Sequence, residues 1–131
     1  MEQLYRELIL DHYQHPHNHG TLENPDISYE DSNPLCGDKI RIEMRVRDGI
    51  IEDVKFSGKG CAISQASASL LTDEIKGKPL EAIRQLDKQT VFDLIGIPLS
   101  VSRVKCALLP LKVIKGGAYG ITQWPDEEQE E

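Results

Sequence analysis

The feature that most constrains this chain is the run KIRIEMRVRDGIIEDVKF, residues 39–56. In its first half Ile40, Ile42, Met44 and Val46 alternate with Lys39, Arg41, Glu43 and Arg45. Alternation of period two marks a strand buried on one face. The second half returns with Ile50, Val54 and Phe56 on one face, interrupted by Glu52. Asp48-Gly49 between them is a turn signal. A two-residue turn would set Val46 opposite Ile51 and Met44 opposite Asp53, mixing apolar and polar faces. A three-residue loop, Arg47-Asp48-Gly49, sets Val46 opposite Ile50, Ile42 opposite Val54 and Ile40 opposite Phe56, and this is the expected register. Continued to the open end, it sets Asp38 opposite Gly58 and Cys36 opposite Gly60, next to Cys61. Opposed Cβ atoms lie about 5 Å apart. One hairpin is thus expected to bring two thiols and a carboxylate together.

Helical patterns surround the hairpin. Residues 2–14 carry Leu4, Tyr5, Leu8, Ile9, His12 and Tyr13 at helical spacing, and Pro16 and Gly20 end the run. The following HYQHPHNHG holds His12, His15, His17 and His19. A helix end and turn rich in His is favoured there over a metal cluster. Residues 21–32 are expected to be loop, with a short strand around Ile27–Tyr29. CAISQASASLLTDEIKG reads as a helix with Ile63, Ala66, Leu70, Leu71 and Ile75 on its apolar face, and Cys61 at its N-terminus, where the macrodipole favours a thiolate. Leu80–Leu86 and Val91–Ile95 suggest short helices. SVSRVKCALLPLKVIKGG reads as a final helix stopped by Gly116-Gly117, in which Pro110 frees the carbonyl of Cys106. No repeat or linker divides the chain. The fold class is therefore α+β: a small antiparallel sheet of about three strands with helices packed on it.

Composition excludes several functions. The chain has 131 residues, enough to bury one core. No apolar run is long enough to span a bilayer, and the acidic, amphipathic start is unlike a signal peptide. A cytoplasmic location without membrane attachment is the expectation. Net charge is −7, concentrated in residues 126–131, all Asp, Glu or Gln. No basic footprint for nucleic acid remains. Three cysteines in a reducing compartment do not make a disulfide framework.

Cys36, Asp38 and Cys61 leave a tetrahedral metal site one ligand short, and Cys106 is the only other cysteine. Three sulfurs and one oxygen suit zinc or the irons of a cluster. Arg103 and Lys105 flank Cys106. Positive charge beside thiols favours their reactive form, although a solvated helix face would also explain Arg103.

Four stretches, DHYQHPHNHG, NPLCGD, GCAISQASASLLT and RVKC, occur in the order found in the U-type iron–sulfur cluster assembly proteins (IscU, SufU and the NifU N-terminal domain), and the chain resembles that family. The resemblance implies an IscU/SufU-like domain over residues 1–117 and a C-terminal extension with an acidic tail over 118–131. It implies that Cys36, Asp38, Cys61 and Cys106 hold the metal or cluster. Cys36, Cys106, Asp38 and Lys105 are expected to carry the sulfur chemistry. The implied function is a scaffold rather than a true enzyme. It takes sulfur from a pyridoxal-phosphate cysteine desulfurase, assembles a [2Fe–2S] cluster and passes it to apo acceptor proteins. The alternative is a SufU-type sulfurtransferase that binds Zn2+ and relays persulfide sulfur; a zinc-stabilised adaptor without sulfur chemistry is the third. RVKC, with Lys105 where IscU-like proteins have His, is SufU-like. The short segment between Cys61 and Cys106 is IscU-like. A monomer or weak homo-oligomer is expected.

Overall fold

A computed structural model describes residues 2–34 and 37–125. Helix α1 (Glu2–Gln14) is followed by strands β1 (Ile27–Asn33), β2 (Asp38–Arg47) and β3 (Ile50–Lys59). Helix α2 (Ala62–Ile75), a 3-10 helix (Leu80–Gln85), α3 (Lys88–Ile95) and α4 (Val101–Tyr119) complete the order. The strands form an antiparallel meander, β1-β2-β3. Helix α4 lies on β1 and β2, α2 lies beside it on β3, and α1 packs on α2. Ile40, Ile42, Met44, Val54 and Phe56 fill the space beneath the helices with Leu71, Leu108, Leu109 and Leu111. Each such side chain contributes about 1.5–3 kcal/mol on burial.

The alternation in β2 selects the buried face as expected, but the hairpin register differs. Arg47 pairs with Ile50 and Val46 with Ile51 across a two-residue turn. Asp48 and Gly49 have φ of 52° and 77°, the left-handed pair whose twist matches a hairpin. The face conflict that argued against this turn is relieved by a bulge between Arg45 and Val46. Beyond it Arg45 pairs with Asp53, Met44 with Val54, Ile42 with Phe56 and Ile40 with Gly58. Glu52 is the residue passed over. From Met44 outward the expected pairs are displaced by two residues, which leaves those side chains on their original faces, but beside the turn the shift is one: Ile51, opposite Val46, is buried, and Ile50, expected on the apolar face, is exposed.

Other differences have equally local causes. Strand β1 runs to Asn33, pairing with Asp38, because β2 offers a complete ladder. Glu43, expected in solvent, is 6% exposed; the loop after α1 crosses it, and its Oε1 accepts the N–H of Leu22 at 3.1 Å. In α1 only Ile9 and His12 are buried, while Leu4, Leu8 and Tyr13 of the expected stripe face outward. Helix α4 does not stop at Gly116-Gly117 but continues to Tyr119, capped by Gly120 in the left-handed conformation. Those two glycines are contact points. A Cβ at Gly116 would lie 2.5 Å from the Tyr29 ring, so they let α4 approach β1. Pro110 sits inside α4. The buried hydroxyl of Ser67 donates to the Ala107 carbonyl at 2.7 Å, so a side chain of α2 is bonded to the α4 backbone one residue after the Cys106 carbonyl that the proline leaves without its helical donor. No described helix is long and apolar enough to cross a membrane.

Candidate metal and sulfur site

The end of the hairpin, the start of α2 and the second turn of α4 meet at one place. Asp38 is the first residue of β2 and is 1% exposed. Cys61 is the N-cap of α2. Its N–H, one of the helix's unpaired leading donors, gives a 2.9 Å hydrogen bond to Asp38 Oδ1. Its thiol donates to Asp38 Oδ2 at 3.8 Å. The Cys61 carbonyl accepts from Ser64 Oγ at 3.1 Å and from the Gln65 N–H at 3.2 Å. Strand, cap and first helical turn are therefore bonded into one unit.

Gly60 makes that unit possible. A Cβ there would fall on Asp38 Oδ1, and would lie 2.6 Å from Ser64 Oγ. Only a residue without a side chain lets the chain pass so close to the carboxylate at φ of 156°.

Cys106 comes from the other side. Its Sγ lies 3.8 Å from the Ser102 carbonyl oxygen of the turn before it. One ligand atom each from Asp38, Cys61 and Cys106 all lie within 4.8 Å of one another. In a tetrahedral zinc site, bonds of 2.3 Å to sulfur and about 2.0 Å to oxygen put the two ligands about 3.5 Å apart. The 3.8 Å between Cys61 Sγ and Asp38 Oδ2 is already close to that. The donor set fits zinc or a cluster iron and supplies three ligands. Cys36, expected as the fourth, lies outside the described residues. Gly37, the next described residue, returns its N–H to the Asn33 carbonyl at 2.9 Å.

Two cations flank Cys106 on α4, and they divide differently from the expectation. Arg103, which a solvated helix face would have explained, interacts with both thiols. Cys61 first and Cys106 second raise its guanidinium pKa above the ordinary value. Lys105 places its ammonium over the Trp124 ring, 4.4 Å from the centroid. Lys112, paired with Asp31, approaches the same ring at 5.1 Å. The segment after α4 therefore folds back along it. Nothing local in the sequence indicated Trp124 as a neighbour of Lys105; the two are 19 positions apart and meet only because the chain reverses at Gly120.

Cys61 is partly exposed and Cys106 is buried. A surface groove of about 390 Å³ opens beside Cys61, walled by Ile63, Ile97, Pro98, Leu99 and Arg103. Gln65, one turn beyond Cys61, has a buried Nε2 with no hydrogen-bond partner among the described residues. Residues four apart share a helix face, so this orphan donor lies on the side of α2 that carries Cys61.

Residues 4–128 match the family described as the NifU-like N-terminal domain. The chain is 38% identical to the zinc-dependent sulfurtransferase SufU of Bacillus subtilis, over 89% of this chain and 90% of that protein. It is 33% identical to the iron–sulfur cluster assembly scaffold protein IscU of Escherichia coli K12, over 85% and 88% of the two chains. Its fold superposes on a crystal structure described as an iron–sulfur cluster assembly scaffold for the SUF system, from Fervidobacterium islandicum, with a TM-score of 0.73 and 29% identity, covering 89% of this chain and 98% of the other.

Proposed function

This chain belongs to the family of NifU-like N-terminal domains, and on that premise we propose that it is an iron–sulfur cluster assembly scaffold. The observation that carries the reading is the convergence of Asp38, Cys61 and Cys106 within 4.8 Å at the surface end of the hairpin. Cys36 completes the set as the fourth ligand. A pyridoxal-phosphate cysteine desulfurase supplies sulfur as its own cysteine persulfide. A thiolate of the site attacks the outer sulfur, the desulfurase S–S bond breaks, and the desulfurase cysteine leaves as thiolate, so the step is redox-neutral. Cys36 and Cys106 handle the sulfur. Asp38 is the harder and more labile ligand through which cargo is released to apo acceptor proteins. Arg103 and Lys105 offset the charge that gathers with thiolates and persulfide. Gln65 Nε2 donates to an anionic sulfur held beside Cys61.

A second reading is supported by Lys105, which cannot ligate a metal while protonated, and by the likeness to a protein named as a zinc-dependent sulfurtransferase. In it zinc is held by the same four residues and sulfur is relayed rather than built into a cluster. Zinc supplies charge that keeps the thiols deprotonated, and the chain's own residues receive and pass the sulfur.

Anaerobic incubation with a cysteine desulfurase, L-cysteine and ferrous iron, with and without a thiol reductant that takes persulfide sulfur to sulfide, tests both. A coloured protein holding iron and sulfide in equal amounts, which activates an apo-ferredoxin, supports the scaffold. Retained zinc with a persulfide seen by mass spectrometry, and no cluster, supports the relay. Neither a cluster nor a persulfide would overturn both.

A further inference from the structure

We propose that His12, His17 and Asp73 form a second metal site, for a divalent transition ion of the zinc class, that joins α1 to α2. One ligand atom from each residue lies within 4.8 Å of the other two. They come from three separate places: the last turn of α1, the loop after it, and the last turn of α2. Tertiary folding, not sequence spacing, assembles them. Two of the four histidines between residues 12 and 19 thus have a role beyond a His-rich helix end and turn, contrary to the reading favoured from the sequence.

The surroundings resemble those of a metal-binding imidazole. His12 is 5% exposed, and its Nδ1 lies 2.6 Å from Ser69 Oγ. An outer hydrogen-bond partner of this kind fixes the ring and leaves one nitrogen for an ion. Ser69 Oγ also accepts the backbone N–H of His17 at 2.8 Å, so the same hydroxyl positions both histidines. The ring centroids are 4.5 Å apart. Asp73 has an outer partner as well: Asn18 Nδ2 donates to its Oδ1 at 2.9 Å and to Thr72 Oγ1 at 3.0 Å.

Zinc bonds of about 2.0–2.1 Å place tetrahedral ligands roughly 3.3 Å apart. His17 Nδ1 and Asp73 Oδ2 now share a 2.5 Å hydrogen bond and must separate to admit an ion. Their side chains are 49% and 45% exposed, so the separation displaces only solvent. That exposure also provides an entry path and an open fourth position for water. Two imidazoles and a carboxylate suit zinc, nickel or cobalt and not magnesium or calcium. The site shares no ligand with the one at Cys61. Asp73 is 12 residues along α2 from Cys61, which at 1.5 Å per residue is about 18 Å. The inference stands whether or not the scaffold reading does.

The test is zinc titration of the chelator-stripped full chain, with stoichiometry from chelator competition and His ring nitrogens followed by long-range 1H–15N NMR. Two zinc equivalents per chain are expected. Cys61→Ser should lose one equivalent, and the remaining zinc should shift the ring nitrogens of His12 and His17. His17→Ala and Asp73→Asn, both at half-exposed positions that the fold tolerates, should each lose the other equivalent or weaken it at least tenfold. His15→Ala should keep both. A single equivalent that disappears in Cys61→Ser, a second that survives His17→Ala, or His12 and His17 ring nitrogens unmoved at saturating zinc would overturn the proposal.

Discussion

Replacing Gly60 by Ala tests how the site is built. The new methyl would fall on Asp38 Oδ1 and 2.8 Å from Asp38 Cγ. Carbon atoms in contact lie about 3.5–4.0 Å apart, so the carboxyl group must retreat by roughly 0.7 Å or more. Asp38 is 1% exposed, and its Oδ1 receives the Cys61 N–H at 2.9 Å. A retreat of that size stretches the bond beyond useful length. A hydrogen bond to a charged group contributes about 1.5–3 kcal/mol. The backbone adds its own cost, of order 1–3 kcal/mol for a side chain held at an uncommon φ. A double-mutant cycle with Asp38→Ala isolates the carboxylate's part, because the backbone cost and the 2.6 Å approach to Ser64 Oγ are present in both backgrounds. The expected coupling is therefore about 1.5–3 kcal/mol, tenfold or more in an equilibrium constant. Urea unfolding of metal-stripped protein measures it, and chelator competition should show a parallel loss of zinc affinity in Gly60→Ala. A coupling within about 0.5 kcal/mol of zero would refute the placement of Asp38 against Gly60.

Lys105→Ala should slow persulfide formation, read by mass spectrometry, more than it weakens zinc binding; the emission of Trp124, the chain's single tryptophan, should shift in the same samples because its cation partner is gone. Gln65→Leu removes a buried donor without a partner, so the metal-free protein should be as stable as the parent or more so, by up to about 1–3 kcal/mol. The same variant should lose its persulfide faster under a fixed concentration of reductant. Ser67→Ala removes a buried hydrogen bond to the Ala107 carbonyl, at a cost of about 0.5–1.5 kcal/mol in denaturant unfolding. His12 gives a pH dependence. Its folded pKa is lowered from 6.5, by burial and then by His17, against the smaller pull of Asp73 and Asp11. The unfolded chain therefore takes up the proton first. In chelator-treated protein the destabilisation is complete below the folded pKa, and stability climbs with pH until about 6.5. His12→Gln should flatten that climb, and an unchanged melting profile across the window would count against the burial of a neutral imidazole.

The sequence by itself determined the apolar face of β2 and where most elements lie, because burial on one side of a strand or helix imposes a period that survives most details of packing. It also carried Asp38, Cys61 and Cys106, since the U-type motifs keep these residues in order along the chain. Tertiary structure decided what period cannot encode. Alternation was silent about the bulge that settles the hairpin register, which passes over Glu52 and turns Ile51 rather than Ile50 inward. Gly116 and Gly117 look like a helix stop until Tyr29 of a distant strand is laid against them. Arg103 and Lys105 are two positions apart on one helix, and only the placement of Cys61 and Trp124 sends one to the thiols and the other to an aromatic ring. His12 and His17 acquire Asp73 from 56 residues beyond His17 because α1 packs on α2. Each of these is a contact between groups remote in sequence, and its energy exists only once the intervening chain has closed around it.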